Sequence, residues 1–229
     1  MSRFYATPYG GYSISSNEGT SNIKTIYDYL HGEGYADNCI VGILGNIVAE
    51  GALNPWYWQN NTYAPTDPNA GYGLFQFTPA YEYLNASWLP DWAPNESTSQ
   101  QTAGADPDDG YAQLYALVND VFGKWVSNCW RTYWDPTAYP GQYALHTYIL
   151  NTWGNGSSLT MSQFKDIDDY EAACFAFLAC YEGPLIPNYT ARKNYCDQIK
   201  PIIDSYAGKK DILFMKKFFI DRQFNNGLR

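Results

Sequence analysis

Apolar residues recur every three or four positions through much of the chain, the spacing of amphipathic helices. Ser21 or Asn22 opens the first such stretch, with Ile23, Ile26, Tyr27 and Leu30 on one face and Gly32 and Gly34 closing it. The second begins at Asp37 or Asn38, either of which can cap it, and carries Ile40, Ile43, Leu44 and Ile47 as far as Glu50. Gly51 ends it, and Pro55 keeps it from resuming. A cap at Asp106 or Asp108 starts a third, with Tyr111, Leu114, Tyr115, Val118, Phe122 and Trp125 in register. A fourth starts at Asp168, with Glu171 three residues on in a capping-box-like pattern. Its stripe is Ala172, Phe175, Leu178 and Ala179, and it ends at Glu182-Gly183-Pro184. The last runs from about Thr190 to Tyr206, with a bend expected near Pro201 and a stop at Gly208.

Between these stretches the helical period is lost. Residues 1–20, rich in Tyr, Gly and Ser, read as an extended arm, loose or docked on a neighbouring subunit. Residues 52–70 mix Trp56, Tyr57, Trp58 and Tyr63 with turn formers, as a loop or irregular β-hairpin does. Residues 81–107 read as a polar, Pro-bearing insertion, with Trp88 and Trp92 as ligand platforms or simple anchors. Residues 128–160 read as loop-rich and aromatic, with Trp130, Tyr133, Trp134, Tyr139, Tyr143, Tyr148 and Trp153. The predicted division is an arm (1–20), a helical domain (21–208) and a basic amphipathic tail (209–229). In the tail, Lys209, Lys210, Lys216, Lys217, Arg222 and Arg229 accompany Phe214, Phe218 and Phe219. Such a tail suits docking on a partner protein, lying across the acidic domain or touching lipid, and docking is preferred.

Candidate chemistry centres on Glu50. Four and then three places on from Ile43, the apolar stripe reaches this acid, so it faces inward. A carboxylate at a helix C-terminus meets the negative end of the helix dipole, and apolar surroundings disfavour its charge. Both effects favour the protonated acid that general-acid catalysis requires. The alternative is a Glu braced by an Arg or Lys. Downstream, Gly71-Tyr72-Gly73-Leu74-Phe75-Gln76 reads as a tight glycine turn leading to one amide between Phe75 and Phe77, placed to hold a hydroxyl or N-acetyl group. Asp67 is the one acid between Glu50 and Gln76. It is a positional candidate for a second carboxylate, or an Asp bonded to its own turn. Glu182 is expected to brace the core through Arg192.

The segments GILGNIVAEGALNP (42–55) and GYGLFQFTPA (71–80) together resemble the phage tail lysozyme family, distant kin of goose-type lysozymes and lytic transglycosylases. Phe177 to Pro184, followed by Arg192, is similar to that family's late helix and its Tyr-Glu-Arg-Pro turn. Gly183 stands where Arg is usual, so no role of that Arg carries over. The likeness spans roughly Ile23 to Tyr206. It implies a mainly α, lysozyme-like α+β fold in which a helical domain and a small hairpin or loop lobe form a substrate groove. It also implies cleavage of peptidoglycan glycan strands at the β-1,4 bond between N-acetylmuramic acid and N-acetylglucosamine, by a virion protein at the tail tip. Glu50 is then the acid and Asp67 the second catalytic candidate, with Gln76, Tyr72, Gly73 and Thr78 binding substrate. No cofactor or metal is required. Other tail proteins are the expected partners of the arm and the tail. Two alternatives remain: lytic transglycosylase chemistry, and a non-catalytic tail-tip plug or wall-binding module on the same fold.

Composition fits this reading. The length of 229 residues suits one large domain, and 45% hydrophobic residues suffice for a core. The 22 Tyr and 8 Trp exceed what a core needs; the surplus suits sugar faces or a large interface. A net charge of −9 argues against nucleic-acid partners and a polybasic membrane footprint. The cysteines Cys39, Cys129, Cys174, Cys180 and Cys196 lack metal-ligand spacing with His31 or His146. Buried free thiols are expected, with Cys180–Cys196 the conceivable pair; a thiol hydrolase using His146 finds no local support. No secretory signal or membrane-spanning run is evident, so an enzyme for an extracellular polymer is expected to travel in a virion.

Overall fold

The computed structural model describes residues 4–62, 64, 66–84, 109–128, 137, 140–184 and 187–206. This part is mainly helical. In chain order come α1 (Tyr12–Ser15), α2 (Asn17–Gly32), α3 (Asp37–Glu50), α4 (Ala80–Tyr83), α5 (Asp109–Val118), α6 (Pro140–Thr152), α7 (Met161–Lys165), α8 (Tyr170–Phe177) and α9 (189–206). A π-helical turn, Leu178–Glu182, extends α8.

Helix α3 is the axis of the domain. Every residue from Cys39 to Val48 is buried, which is why apolar residues surround the helix instead of lining one stripe. Two glycines let its neighbours reach the backbone. A β-carbon at Gly42 would lie 2.5 Å from the Cys174 nitrogen, and one at Gly45 would lie 2.2 Å from Cys196 Sγ. Helix α8 thus seats on one side of α3 and α9 on another at distances no larger residue permits. Asn46 donates to the carbonyls of Gly42 (2.9 Å) and Cys174 (3.0 Å), so the polar residue inside this contact is satisfied. Cys39, Cys174 and Cys196 are buried free thiols. Cys129 lies outside the described residues.

Several boundaries differ from the sequence expectation. Helix α2 starts four residues earlier than Ser21, because Ser16 is the cap and accepts from the Gly19 N–H at 2.9 Å. Residues 4–11 are docked rather than loose: Phe4 is buried against Tyr111, and Asn22 ties both the Tyr5 backbone and the Leu53 carbonyl. Helix α3 is preceded by Ala36; Asp37 is its first residue, and the Asn38 side chain donates to the Asp168 carbonyl. Helix α8 is capped by Asp169, one place beyond the expected Asp168, through bonds to Glu171 N and Ala172 N. Residues 140–152 form a helix where loops were expected; Pro140 at its first position has no amide to leave unpaired. Helix α5 stops at Val118, short of Phe122 and Trp125, where Asp120 takes a positive φ of 44° and its carboxylate accepts from Lys124 N and Trp125 N. The 85–108 insertion with Trp88, Trp92, Asp106 and Asp108, the aromatic residues 129–136, and the tail with Gly208 lie outside the described residues.

Candidate active site

Glu50 ends α3, and its side chain is 24% exposed, mostly covered yet reachable from solvent. It is not alone. Arg192 of α9, itself 6% exposed, donates from Nη2 to Glu50 Oε1, and its Nε donates to Asn46 Oδ1 at 2.8 Å. Asn46, one helical turn before Glu50, passes the network on to α8 through the Cys174 carbonyl. The three helices of the central contact are thereby cross-linked by polar groups at the point where Glu50 emerges.

Arg192 therefore braces Glu50, where the sequence had paired it with Glu182. Glu182 closes the π turn, and its Oε1 is buried without a hydrogen-bond partner among the described residues. Burial raises its pKa well above the ordinary carboxylate range; the charge of Glu50 adds to this, while Arg192 and Lys124 pull the other way. An acid that resists ionisation thus sits close enough to Glu50 for the two charges to interact.

The lobe after α3 is irregular. Two isolated antiparallel bridges, Trp58 with Tyr72 and Tyr72 with Phe77, form its framework. Tyr72 is fully buried between Trp58 (4.8 Å between ring centroids) and Tyr83 (5.7 Å), so its ring holds the lobe together and presents no face to a ligand. Phe75 packs against Phe177 and Tyr181, which fastens the lobe to α8 and its π turn. Between the bridges, residues 73–76 make a turn closed by Gln76 N to Gly73 O at 3.2 Å. Gly73 has a φ of 82°, and a β-carbon there would strike the Gln113 side chain at 2.4 Å. Gln113, fully buried on α5, accepts from Leu74 N at 2.7 Å and donates to the Pro55 carbonyl at 2.6 Å. It joins the two arms of the lobe, and no sequence motif marks it.

The turn aims Gln76 at the end of α3. A β-carbon on Gly51 would lie 3.4 Å from Gln76 Nε2. That amide nitrogen donates to the carbonyls of Gly73 (2.9 Å) and Tyr57 (3.2 Å). Both amide hydrogens are engaged, so Oε1 is the atom the side chain offers elsewhere. It lies on the Gly71 side, where a β-carbon would meet Gln76 Oε1 at 2.9 Å and Thr78 Oγ1 at 3.0 Å. Thr78 is exposed and donates to the Gln76 carbonyl at 2.8 Å. Gln76 thus packs beside Gly51, the residue after Glu50, with its Oε1 and Thr78 Oγ1 near Gly71, while Gly73 faces the buried Gln113.

Asp67 is exposed, and its Oδ1 accepts from Asn69 N at 2.8 Å, the self-bonded turn weighed in the sequence. It lines an open cavity of about 340 Å³ with Gln59, Asn60, Thr62 and Asn69. The Cys–His alternative has a different setting. Cys180 and His146 line a small apolar cavity of about 10 Å³, with room for no more than a water, and burial lowers the His146 pKa to about 4.

The family model of phage tail lysozymes matches residues 21–202. Morphogenesis protein 1 of Bacillus phage B103 is 29% identical over 180 residues, covering 78% of this chain and 38% of the relative. The chain thus spans about two fifths of that relative's length.

Proposed function

The chain belongs to the phage tail lysozyme family, and we propose that it is a tail-tip glycosidase that opens the bacterial wall for DNA entry. Its substrate is the peptidoglycan glycan strand, cut at the β-1,4 bond between N-acetylmuramic acid and N-acetylglucosamine. Glu50 protonates the leaving oxygen, and positive charge develops at the anomeric carbon in an oxocarbenium-like transition state. Gln76 Oε1 and the exposed Thr78 hydroxyl hold the sugar, because the backbone groups of Gly71 to Gly73 are bonded within the lobe. The observation that carries this reading is the packing of the Gln76 amide against Gly51, next to the one acid at the α3 terminus.

The Arg192 contact favours a second reading, a wall-binding module without turnover. A carboxylate held by a guanidinium is a brace, the ordinary role of a Glu at a helix end. One experiment separates the two. Glu50→Gln keeps a carbonyl for Arg192 and removes the proton donor. On the glycosidase reading it reduces clearing of purified cell walls by about 100-fold or more while binding to walls persists. Equal clearing by parent and variant would remove Glu50 from the chemistry, and a parent protein that binds without clearing would establish the second reading. Products then fix the reaction: a reducing end from hydrolysis, a 1,6-anhydro sugar from transglycosylase chemistry.

A further inference from the structure

The segment before residue 21 lies outside the family match, yet it runs beside the proposed site. The Gly10 N–H donates to the Gly51 carbonyl at 3.0 Å, pinning this segment to the residue that follows Glu50. Phe4, buried against Tyr111, and Asn22, bonded to Tyr5, fix its start. Between these anchors Tyr9 is held but left 60% exposed. Its ring lies 5.4 Å from that of Tyr57, with the planes 33° apart. Tyr57 in turn presses on Gly51, where a β-carbon would meet its ring at 2.5 Å, and its carbonyl receives the Gln76 amide. One residue thus touches the end of the acid helix, the amide of the turn and the exposed ring of the N-terminal segment.

We propose that Tyr9 and Tyr57 form a sugar-stacking shelf, through which the N-terminal segment supplies a binding position for an N-acetylhexosamine residue of the glycan. This rests on the glycosidase reading for the identity of the polymer. A tyrosine fixed by its neighbours offers a flat apolar face with a polar edge, matching a pyranose ring that has C–H groups on its face and hydroxyls at its rim. Because the ring is already held, little ordering cost opposes binding. The Gly10–Gly51 bond anchors this segment one residue past Glu50, so the shelf is built beside the end of α3.

The test uses the full-length protein carrying Glu50→Gln, so that ligand is not consumed, titrated with the N-acetylglucosamine tetramer. Adding Tyr9→Ala weakens binding roughly three- to tenfold, the range for loss of one aromatic contact. Tyr9→Phe keeps the ring and binds like its parent. Tyr12→Ala, at a neighbouring ring that is 82% exposed, also binds like its parent. In the active protein, Tyr9→Ala shows its loss in KM more than in kcat. Unchanged tetramer affinity in Tyr9→Ala would overturn the shelf, as would an equal loss in Tyr12→Ala. Wall clearing reports separately on the glycosidase reading. Tyr9-dependent tetramer binding without clearing sinks that reading and leaves the shelf; clearing with Tyr9-independent binding sinks the shelf alone.

Discussion

Arg192 holds Glu50 in place: one guanidinium, 6% exposed, donates to the Glu50 carboxylate from Nη2 and to Asn46 from Nε. The same contact that positions the proposed acid thus joins α9 to α3. On the proposed chemistry this links activity to stability, because neither partner can be removed without stranding the other.

Replacing Arg192 with Met tests that link. The variant leaves a carboxylate and the Asn46 carbonyl oxygen without their donor, in a place water reaches poorly. Loss of one partner of a buried pair costs about 3–5 kcal/mol, and the partial exposure of Glu50 puts the expectation at the lower end. Arg192→Lys keeps the charge but cannot make both bonds in the same plane, and should lose less, about 1–2 kcal/mol. Urea denaturation measures both. A Met variant as stable as its parent would show that the contact contributes nothing.

Gln113 is expected to matter as much as any residue facing the site. Gln113→Leu fills the same space but leaves the Leu74 N–H and the Pro55 carbonyl buried without partners. Two unsatisfied groups cost about 2–4 kcal/mol together. Faster hydrogen exchange at Leu74 and a fall in wall clearing should accompany the loss, because the 73–76 turn then no longer fixes Gln76. Clearing that survives with a loosened turn would separate Gln76 from the site.

These two residues also show where the sequence stops being legible. Helix α3 and the 71–78 turn were readable because hydrophobic period, a terminal glycine and paired glycines are local signals. Arg192 was visible but assigned to Glu182, since spacing along α9 does not say which of two acids it reaches. Its bond to Asn46 spans 146 positions, and the Gln113–Pro55 bond spans 58. A single polar residue with a distant partner leaves no periodic trace. The start of α2 was missed for a related reason. Residues 1–20 read as an arm by composition, yet Gly19 is required inside the helix, since a β-carbon there would overlap the Ser13 carbonyl. Tyr72 was read as a ligand-facing aromatic because burial is a property of the lobe around it, not of the GYG motif.

Asp67 separates the two carboxylate mechanisms. Asn at this position keeps an oxygen for the Asn69 N–H and removes the charge. If Asp67 only shapes its turn, Asp67→Asn clears walls within about twofold of the parent and melts at the same temperature. A loss comparable to that of Glu50→Gln would instead make it the second carboxylate of the reaction.

Glu182 predicts a pH dependence of stability with a definite sign. Burial first, and the Glu50 charge second, raise its pKa in the folded protein well above the ordinary carboxylate range, against the pull of Arg192 and Lys124. In the unfolded chain it titrates as an ordinary carboxylate. Between the two values the folded state keeps a proton that the unfolded state has lost, so this residue's contribution falls as pH rises through that window. Below the unfolded value both states are protonated and the contribution is fully present. Glu182→Gln mimics the protonated side chain at every pH and abolishes the decline. Urea midpoints measured from acidic to alkaline pH should therefore show the variant gaining on the parent as pH rises. Parallel profiles would mean that Glu182 ionises in the fold as it does in the open chain, and that the acid beside Glu50 is charged rather than neutral.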